Sequence, residues 1–244
     1  MTGPGLKTAG IIIIGNEILS GKVQDSNSFF LVSELRALGV SVMRISVIPD
    51  DIELIGREAL LFSETYDYVF TSGGVGPTHD DITMEGIANG FNAKLICHPA
   101  LEERFRRRYG NAANEAIMKM AVVPEGTELI EVDGFPVISF RNIFVFPGIP
   151  ELLRRKFFAL KERFRSASFY LKRIFLNTEE SDIAAALNAV VAEHADVVFG
   201  SYPILNNPDY KIIITAESKS EAAMLAAAGA FMSAIPEDII FRVE

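Results

Sequence analysis

The chain has 244 residues, 32 acidic and 23 basic, so its formal net charge is -9, and 49% of its residues are hydrophobic. That composition describes a folded globular protein of roughly one to two domains, and it excludes a disordered tail, a collagenous repeat and a disulfide scaffold. The acidic balance argues against a general nucleic-acid grip, which needs a basic face, though an anion can still be held locally by backbone N–H groups or a metal.

Ala9 to Ile14 is a β-branched run ending at Gly15, and it reads as a buried strand of a parallel sheet. Asp25, Ser26 and Asn27 offer N-cap oxygens for a helix with Phe29, Phe30, Leu35 and Leu38 inward, and Gly39 stops it. Val40 to Ile48 alternates as a second strand, and Asp50 and Asp51 open a helix through Leu61. Tyr68 to Thr71 is a third strand running into Ser72-Gly73-Gly74, and Asp81 is expected to cap a helix through about Phe91. Strands alternating with helices imply βαβ units and a mostly parallel sheet. Pro99 to Met120 predicts two further helices, with Arg104, Arg106, Arg107 and Arg108 on the first. An anion site is one reading of that cluster, and a solvated helix face is the plainer and preferred one. Glu128 to Phe146 supplies short strands around the Asp133-Gly134 turn, and Pro147-Gly148-Ile149-Pro150 opens a helix to about Arg165.

The remainder changes character. Strands at Leu171 to Leu176, Val197 to Tyr202, Lys211 to Thr215 and Asp238 to Val243, with helices at Glu179 to Glu193 and Ser220 to Ser233, give the order β-α-β-β-α-β. That is the ferredoxin-like split unit. The expected division is residues 1–168, an α/β domain, and residues 169–244, a small α+β domain. Residues 1–171 carry 18 basic and 21 acidic residues, a net of -3, and residues 172–244 carry 5 and 11, a net of -6. One cysteine, Cys97, allows no intrachain disulfide and suits a reducing cytoplasm. No stretch approaches the ~20 apolar residues that span a bilayer, and Met1 to Gly10 lacks a signal-peptide plan. A cytoplasmic protein without membrane or nucleic-acid partners is expected.

Three loops follow the three early strands, where open α/β sheets bind ligands. The most informative runs from Thr71 through Ser72, Gly73, Gly74, Val75, Gly76, Pro77, Thr78, His79, Asp80, Asp81 and Ile82 to Thr83. Its bare backbone can approach a phosphate, and a following helix adds the positive end of its dipole. It is neither a P-loop nor the dinucleotide fingerprint. The adjacent carboxylates would repel phosphate unless a divalent cation lay between them, and oxygen ligands suit Mg²⁺ or Mn²⁺. The alternative is that Asp81 only caps a helix and Asp80 is solvated. In the first loop Glu17 could orient a ring or ribose, or serve as a helix N-terminal carboxylate. In the second, Asp50 could be a metal ligand or base, or a helix N-cap. His79 could donate to phosphate or be solvated, whereas His98 and His194 are isolated and read as structural.

Together the loops carry Gly15-x-Glu17-x3-Gly21-x3-Asp25-x-Asn27, then Pro49-Asp50, then Gly73-Gly74-x-Gly76-Pro77-Thr78-x-Asp80-Asp81-x-Thr83. This pattern resembles the molybdopterin-binding (MoaB/Mog-like) domain family, and the Asp pair is similar to its CinA branch. Lys119-Met120-Ala121, Arg141-Asn142 and Phe146-Pro147-Gly148-Ile149-Pro150-Glu151-Leu152-Leu153 look most like the N-terminal domain of eukaryotic-type FAD synthases. The tail, with Glu180-Ser181-Asp182-Ile183 and Gly200-Ser201-Tyr202-Pro203, resembles the small second domain of CinA-like proteins.

The resemblance implies nucleotide chemistry at Asp50 and Asp81 and a divalent metal (Mg, Mn or Co, with K⁺ a further candidate) on Asp50, Asp80 and Asp81. It also implies substrate contacts from Glu17, Asn27, Thr71, Ser72, Gly73, Gly74, Val75, Gly76, Thr78, Thr83, Pro147 and Gly148. In the CinA-like and FAD-synthase-like members the implied reaction is metal-dependent pyrophosphate hydrolysis of FAD or ADP-ribose. Asp133-Gly134-Phe135-Pro136 stands where CinA proteins carry Gly-Thr-Ala-Pro-Gly, which favours the FAD-synthase-like substrate. The sequence contains neither a nicotinamide-nucleotide deamidase domain nor an adenylyl-transferring domain, so neither deamidation nor FAD synthesis is expected. A molybdopterin adenylyltransferase and a non-catalytic pterin- or nucleotide-binding module are the alternatives, and a homodimer or homotrimer is expected by analogy.

Overall fold

The computed structural model describes residues 6–244. Residues 1–5, the first half of the Met1 to Gly10 segment, lie outside the described residues. The chain folds as two compact units, one closing at Ser166 and one spanning Ala167–Glu244.

In chain order the first unit contains β1 (Lys7–Ile14), α1 (Asn16–Leu19), α2 (Asn27–Ala37), β2 (Val40–Ile48), α3 (Ile52–Thr65), β3 (Tyr68–Ser72), α4 (Thr83–Gly90) and β4 (Leu95–Cys97). It continues through α5 (Pro99–Tyr109), α6 (Glu115–Lys119), β5 (Val122–Pro124), β6 (Glu128–Ile130), β7 (Val137–Phe140), β8 (Ile143–Phe146) and α7 (Pro150–Leu160). The six-stranded sheet has the order β2-β1-β3-β8-β7-β6, with β4 and β5 forming a separate ribbon. The first four strands run parallel, and β7 and β6 add antiparallel at one edge.

Period-2 alternation makes the layers. Ala9, Ile11 and Ile13 face a core with Leu31 and Leu35 of α2 and Leu153, Phe157 and Leu160 of α7. Ile12 and Ile14 face the opposite core with Ile55, Ala59 and Phe62 of α3 and Met84 and Ile87 of α4. Both faces of the sheet are covered, which is why β1 reads as an unbroken apolar run.

Local chemistry corrects two expectations. Phe29 is 77% exposed rather than inward. The buried stripe of α2 is Asn27, Leu31 and Leu35, and at 100° per residue Phe29 falls on the far side from Leu31. Asp81 does not cap α4, whose N-cap Ile82 makes no side-chain bond. As expected, the helix after the Pro-Gly-Ile-Pro segment opens on a proline, Pro150, with Ile149 still extended before it. Asp25 supplies the expected α2 cap, since its Oδ1 accepts from Asn27 N at 2.9 Å and Ser28 N at 3.0 Å.

The second unit contains β9 (Tyr170–Leu176), α8 (Glu180–Glu193), β10 (Val198–Pro203), β11 (Ile212–Ser218), α9 (Glu221–Ser233) and β12 (Ile240–Val243). Its sheet order, β10-β11-β9-β12, is antiparallel throughout. Ile212, Ile214 and Ala216 alternate onto a core with Ile183 and Val190 of α8 and Met224 and Phe231 of α9. This is the expected βαββαβ unit.

Candidate functional site

The parallel registers put Ile14 beside Ile48, Ile13 beside Ser72 and Ser72 beside Phe146. The loops after β1, β2, β3 and β8 therefore leave from one edge of the sheet, at the carboxyl ends of its strands.

The loop after β3 is fixed by its own side chains. Gly73 has φ +109°, and a Cβ there would lie 2.0 Å from the Ile14 carbonyl oxygen, so glycine is required. The Thr83 hydroxyl donates to Gly73 O at 2.8 Å. Asp81 Oδ2 accepts from Thr78 N at 2.8 Å and from the Thr78 hydroxyl at 2.5 Å, reaching backwards along the chain rather than forwards into α4. Lys119 Nζ donates to Thr78 O at 2.7 Å. The Thr78 hydroxyl has one hydrogen, and the bond geometry gives it to Asp81. His79 is almost fully exposed, 3.8 Å from Asp80.

Several of the residues expected to contact a ligand are buried or tied to neighbouring loops. Thr71 is 0% exposed and Ser72 is 1% exposed, because the end of β3 is sandwiched between β1 and β8, and Thr83, at the start of α4, is 0% exposed with its hydroxyl on Gly73 O. Asn27 is buried too; its Nδ2 donates to Ser72 Oγ at 3.0 Å and Gly148 O at 2.7 Å, tying three loops together. Ser72 Oγ in turn donates to Pro147 O at 3.3 Å. Glu17 is exposed and folds over Gly15.

Asp50 Oδ2 accepts from Asn16 N at 2.9 Å, bridging the ends of β2 and β1. It leaves the sheet two strands from β3, roughly 10 Å at ordinary strand spacing. Among the described residues no three His, Cys, Asp or Glu side chains converge as a metal site. The chain alone thus does not assemble Asp50, Asp80 and Asp81 into one ligand set.

Beside Gly74, Val75, Gly76 and Asp81 opens a cavity of about 320 Å³. Phe105, Met120, Phe135, Ile138 and Leu152 give it apolar walls, and Pro147 lines its rim. Its charged lining is Arg108, Lys119, Arg155 and Lys156 against Asp81 and Glu85. An acidic protein thus presents a locally cationic cavity. The arginine cluster of α5 divides: Arg104 pairs with Glu131 at 2.6 Å and Arg106 with Glu102 at 2.8 Å, while Arg108 lines the cavity. Sequence reasoning missed the far wall. Its clearest signal was Lys156 in the inward stripe Leu153, Lys156, Phe157 and Leu160 of α7.

Fold and site together define a class: a three-layer α/β domain with a glycine-rich loop and an apolar, cationic cavity at the carboxyl edge of its sheet. The chain belongs to the molybdopterin-binding domain family, since residues 10–166 match the family described as "Probable molybdopterin binding domain". Residues 168–244 match "FAD synthase, middle domain". The chain is 34% identical to a "Probable FAD synthase" of Caenorhabditis elegans, over 98% of this chain and 52% of that protein. It is 37% identical to a protein of Archaeoglobus fulgidus, over 83% of this chain and 87% of that protein. It spans about half the length of its Caenorhabditis relatives. The crystal structure of CinA from Thermoplasma acidophilum, a protein of unknown function, superposes with a TM-score of 0.60 at 30% identity, covering 65% of this chain and 99% of that one.

Proposed function

We propose that the protein is a cytoplasmic, metal-dependent nucleotide pyrophosphatase that hydrolyses FAD or ADP-ribose and releases AMP. The observation that carries this reading is the glycine-rich loop and Asp81 at the mouth of an apolar cavity with a cationic lining. The apolar walls suit a ring system, and the cations suit phosphates. Water adds at one phosphorus, and the bridging oxygen leaves on the other phosphate. FAD thus yields AMP and FMN, and ADP-ribose yields AMP and ribose 5-phosphate. Backbone N–H groups of Gly74 to Gly76 stabilise charge developing on the phosphoryl oxygens.

The donor set fits a hard cation only in part. The Asp81 and Asp80 carboxylates offer oxygen ligands, and the phosphates of the substrate would complete the shell, the usual arrangement for Mg²⁺. Mn²⁺ and Co²⁺ are the other candidates, with K⁺ as a companion. Such a cation would neutralise the transferring oxygens and lower the pKa of its water. Asp50 stands apart and positions the β1 loop through Asn16.

Purified protein is expected to release AMP from FAD or ADP-ribose with Mg²⁺, Mn²⁺ or Co²⁺, and Asp81→Ala to lose that release by about 100-fold or more. Absence of AMP from every dinucleotide and metal tried would sink the reading. The family match favours a second one, in which the cavity holds molybdopterin or transfers AMP to it. Pterin binding without dinucleotide turnover would identify it. Light scattering will read the proposed dimer or trimer.

A further inference from the structure

Lys156 is 8% exposed and sits in the middle of α7, on the inward stripe. Its Nζ donates to Phe135 O at 2.5 Å and to Pro136 O at 2.8 Å, and it lies 5.3 Å from the Phe135 ring centre. Among the described residues no carboxylate lies within ion-pair distance of it. Its charged neighbours on the cavity wall are Arg108, Lys119 and Arg155, of its own sign, and Asp81 and Glu85, neither of which lies within ion-pair distance of it. Burying a charge without a countercharge is costly. Two carbonyl dipoles offset part of that cost but leave the net charge unbalanced. If Lys156 served only to pin the 135–136 segment, a neutral donor would hold the same two carbonyls at lower cost. An ammonium also has three hydrogens, and two are spent.

We propose that Lys156 is the buried countercharge for a phosphate-bearing ligand, its third N–H donating to a phosphate oxygen in the cavity beside Gly74 to Gly76. This rests on the reading of that cavity as the nucleotide site, and it deepens it. The glycine-rich loop holds the phosphates from the strand-edge side, and Lys156 holds them from α7. It also gives a role to the Asp133-Gly134-Phe135-Pro136 segment, where the sequence departs from the CinA pattern: the carbonyls of Phe135 and Pro136 aim the lysine.

The test uses the full chain without metal, titrated calorimetrically with ADP and with adenosine. Both ligands carry the same base, and only ADP carries phosphate. Lys156→Met is expected to weaken ADP at least about tenfold while adenosine binding is unchanged, and Lys156→Arg to stay within about threefold of wild type. ADP binding unchanged in Lys156→Met, or ADP and adenosine weakened alike, would overturn the proposal, as would a wild-type chain that binds no ADP. Should Lys156→Met fail to fold, Lys156→Gln keeps a neutral donor for the two carbonyls and carries the same expectation. In the wild type, ADP should also move the Lys156 side-chain resonance, and an unmoved resonance counts against the idea. The two readings fail separately. No dinucleotide turnover with ADP binding still lost in Lys156→Met removes the hydrolase and leaves this assignment. AMP release with ADP affinity indifferent to Lys156 does the reverse.

Discussion

Asn27 shows how one side chain can tie the loops of a site together. Its amide donates to a strand-end hydroxyl and to a loop carbonyl that lie far apart in sequence, Ser72 and Gly148. Its Oδ1 has no partner among the described residues. The amide orientation is fixed, because Gly148 O can only accept. Asn27→Ala should therefore destabilise the protein by about 1–3 kcal/mol, the cost of leaving a buried acceptor unmade. Asn27→Asp should cost more, because it points a carboxylate at a carbonyl oxygen. Urea midpoints of the two variants check both statements, and an unshifted midpoint in Asn27→Asp would refute the pinning role. Lys156 gives a pH signature at the same scale. Burial first, and then Arg155, push its pKa down to about 8 from the ordinary 10.5. The folded chain then binds fewer protons than the unfolded chain between those values, so this group's penalty is full below about pH 8 and is relieved as pH rises towards 10.5. Wild type should gain stability relative to Lys156→Met between pH 8 and 10, and parallel pH curves would contradict the burial of a charge there.

Among the elements, legibility followed the range of the interactions involved. The strand β1 and the stop at Gly39 rest on local chemistry, a β-branched run and a residue with φ +81°. The sequence order also placed the three loops on one edge, because parallel crossovers return each strand in the same direction. Asp81 was misread for a local reason: an aspartate before a helix can cap forwards or close a loop backwards, and both patterns span three residues. The far wall of the cavity was illegible for a different reason. It is built from α5, the 134–136 segment and α7, which no short-range pattern joins. The antiparallel addition of β7 and β6 likewise depends on pairing across the fold, not on the alternation within each strand. Where the backbone itself is the constraint, the prediction is firm. Gly73→Ala would drive a methyl into the Ile14 carbonyl in a left-handed conformation, so it should cost about 3 kcal/mol or more. Thermal unfolding within a degree of wild type would show that the loop relaxes freely.

At the scale of the whole molecule, the uneven charge has a physical reading. The second unit holds most of the excess acid, and the first is close to neutral yet concentrates four cations around one cavity. Global charge therefore says little about the ligand. The two units also differ in what stabilises them. The first has two cores on either face of a six-stranded sheet, and the second a single core under a four-stranded sheet. Each buries its own apolar face and closes its own backbone ladder, which is what independent folding requires. A fragment of residues 167–244 should therefore fold alone, with one cooperative urea transition and a stability of roughly 4–12 kcal/mol for its size. Met224, Ala227 and Phe231 on α9 pack against Ile212 and Ile214 of β11, so Phe231→Ala should cost the fragment about 3–5 kcal/mol, enough to unfold a marginal domain. Far-UV circular dichroism and amide exchange on the fragment decide the point. A broad, non-cooperative transition with unprotected β9 and β11 amides would mean that this core does not suffice by itself.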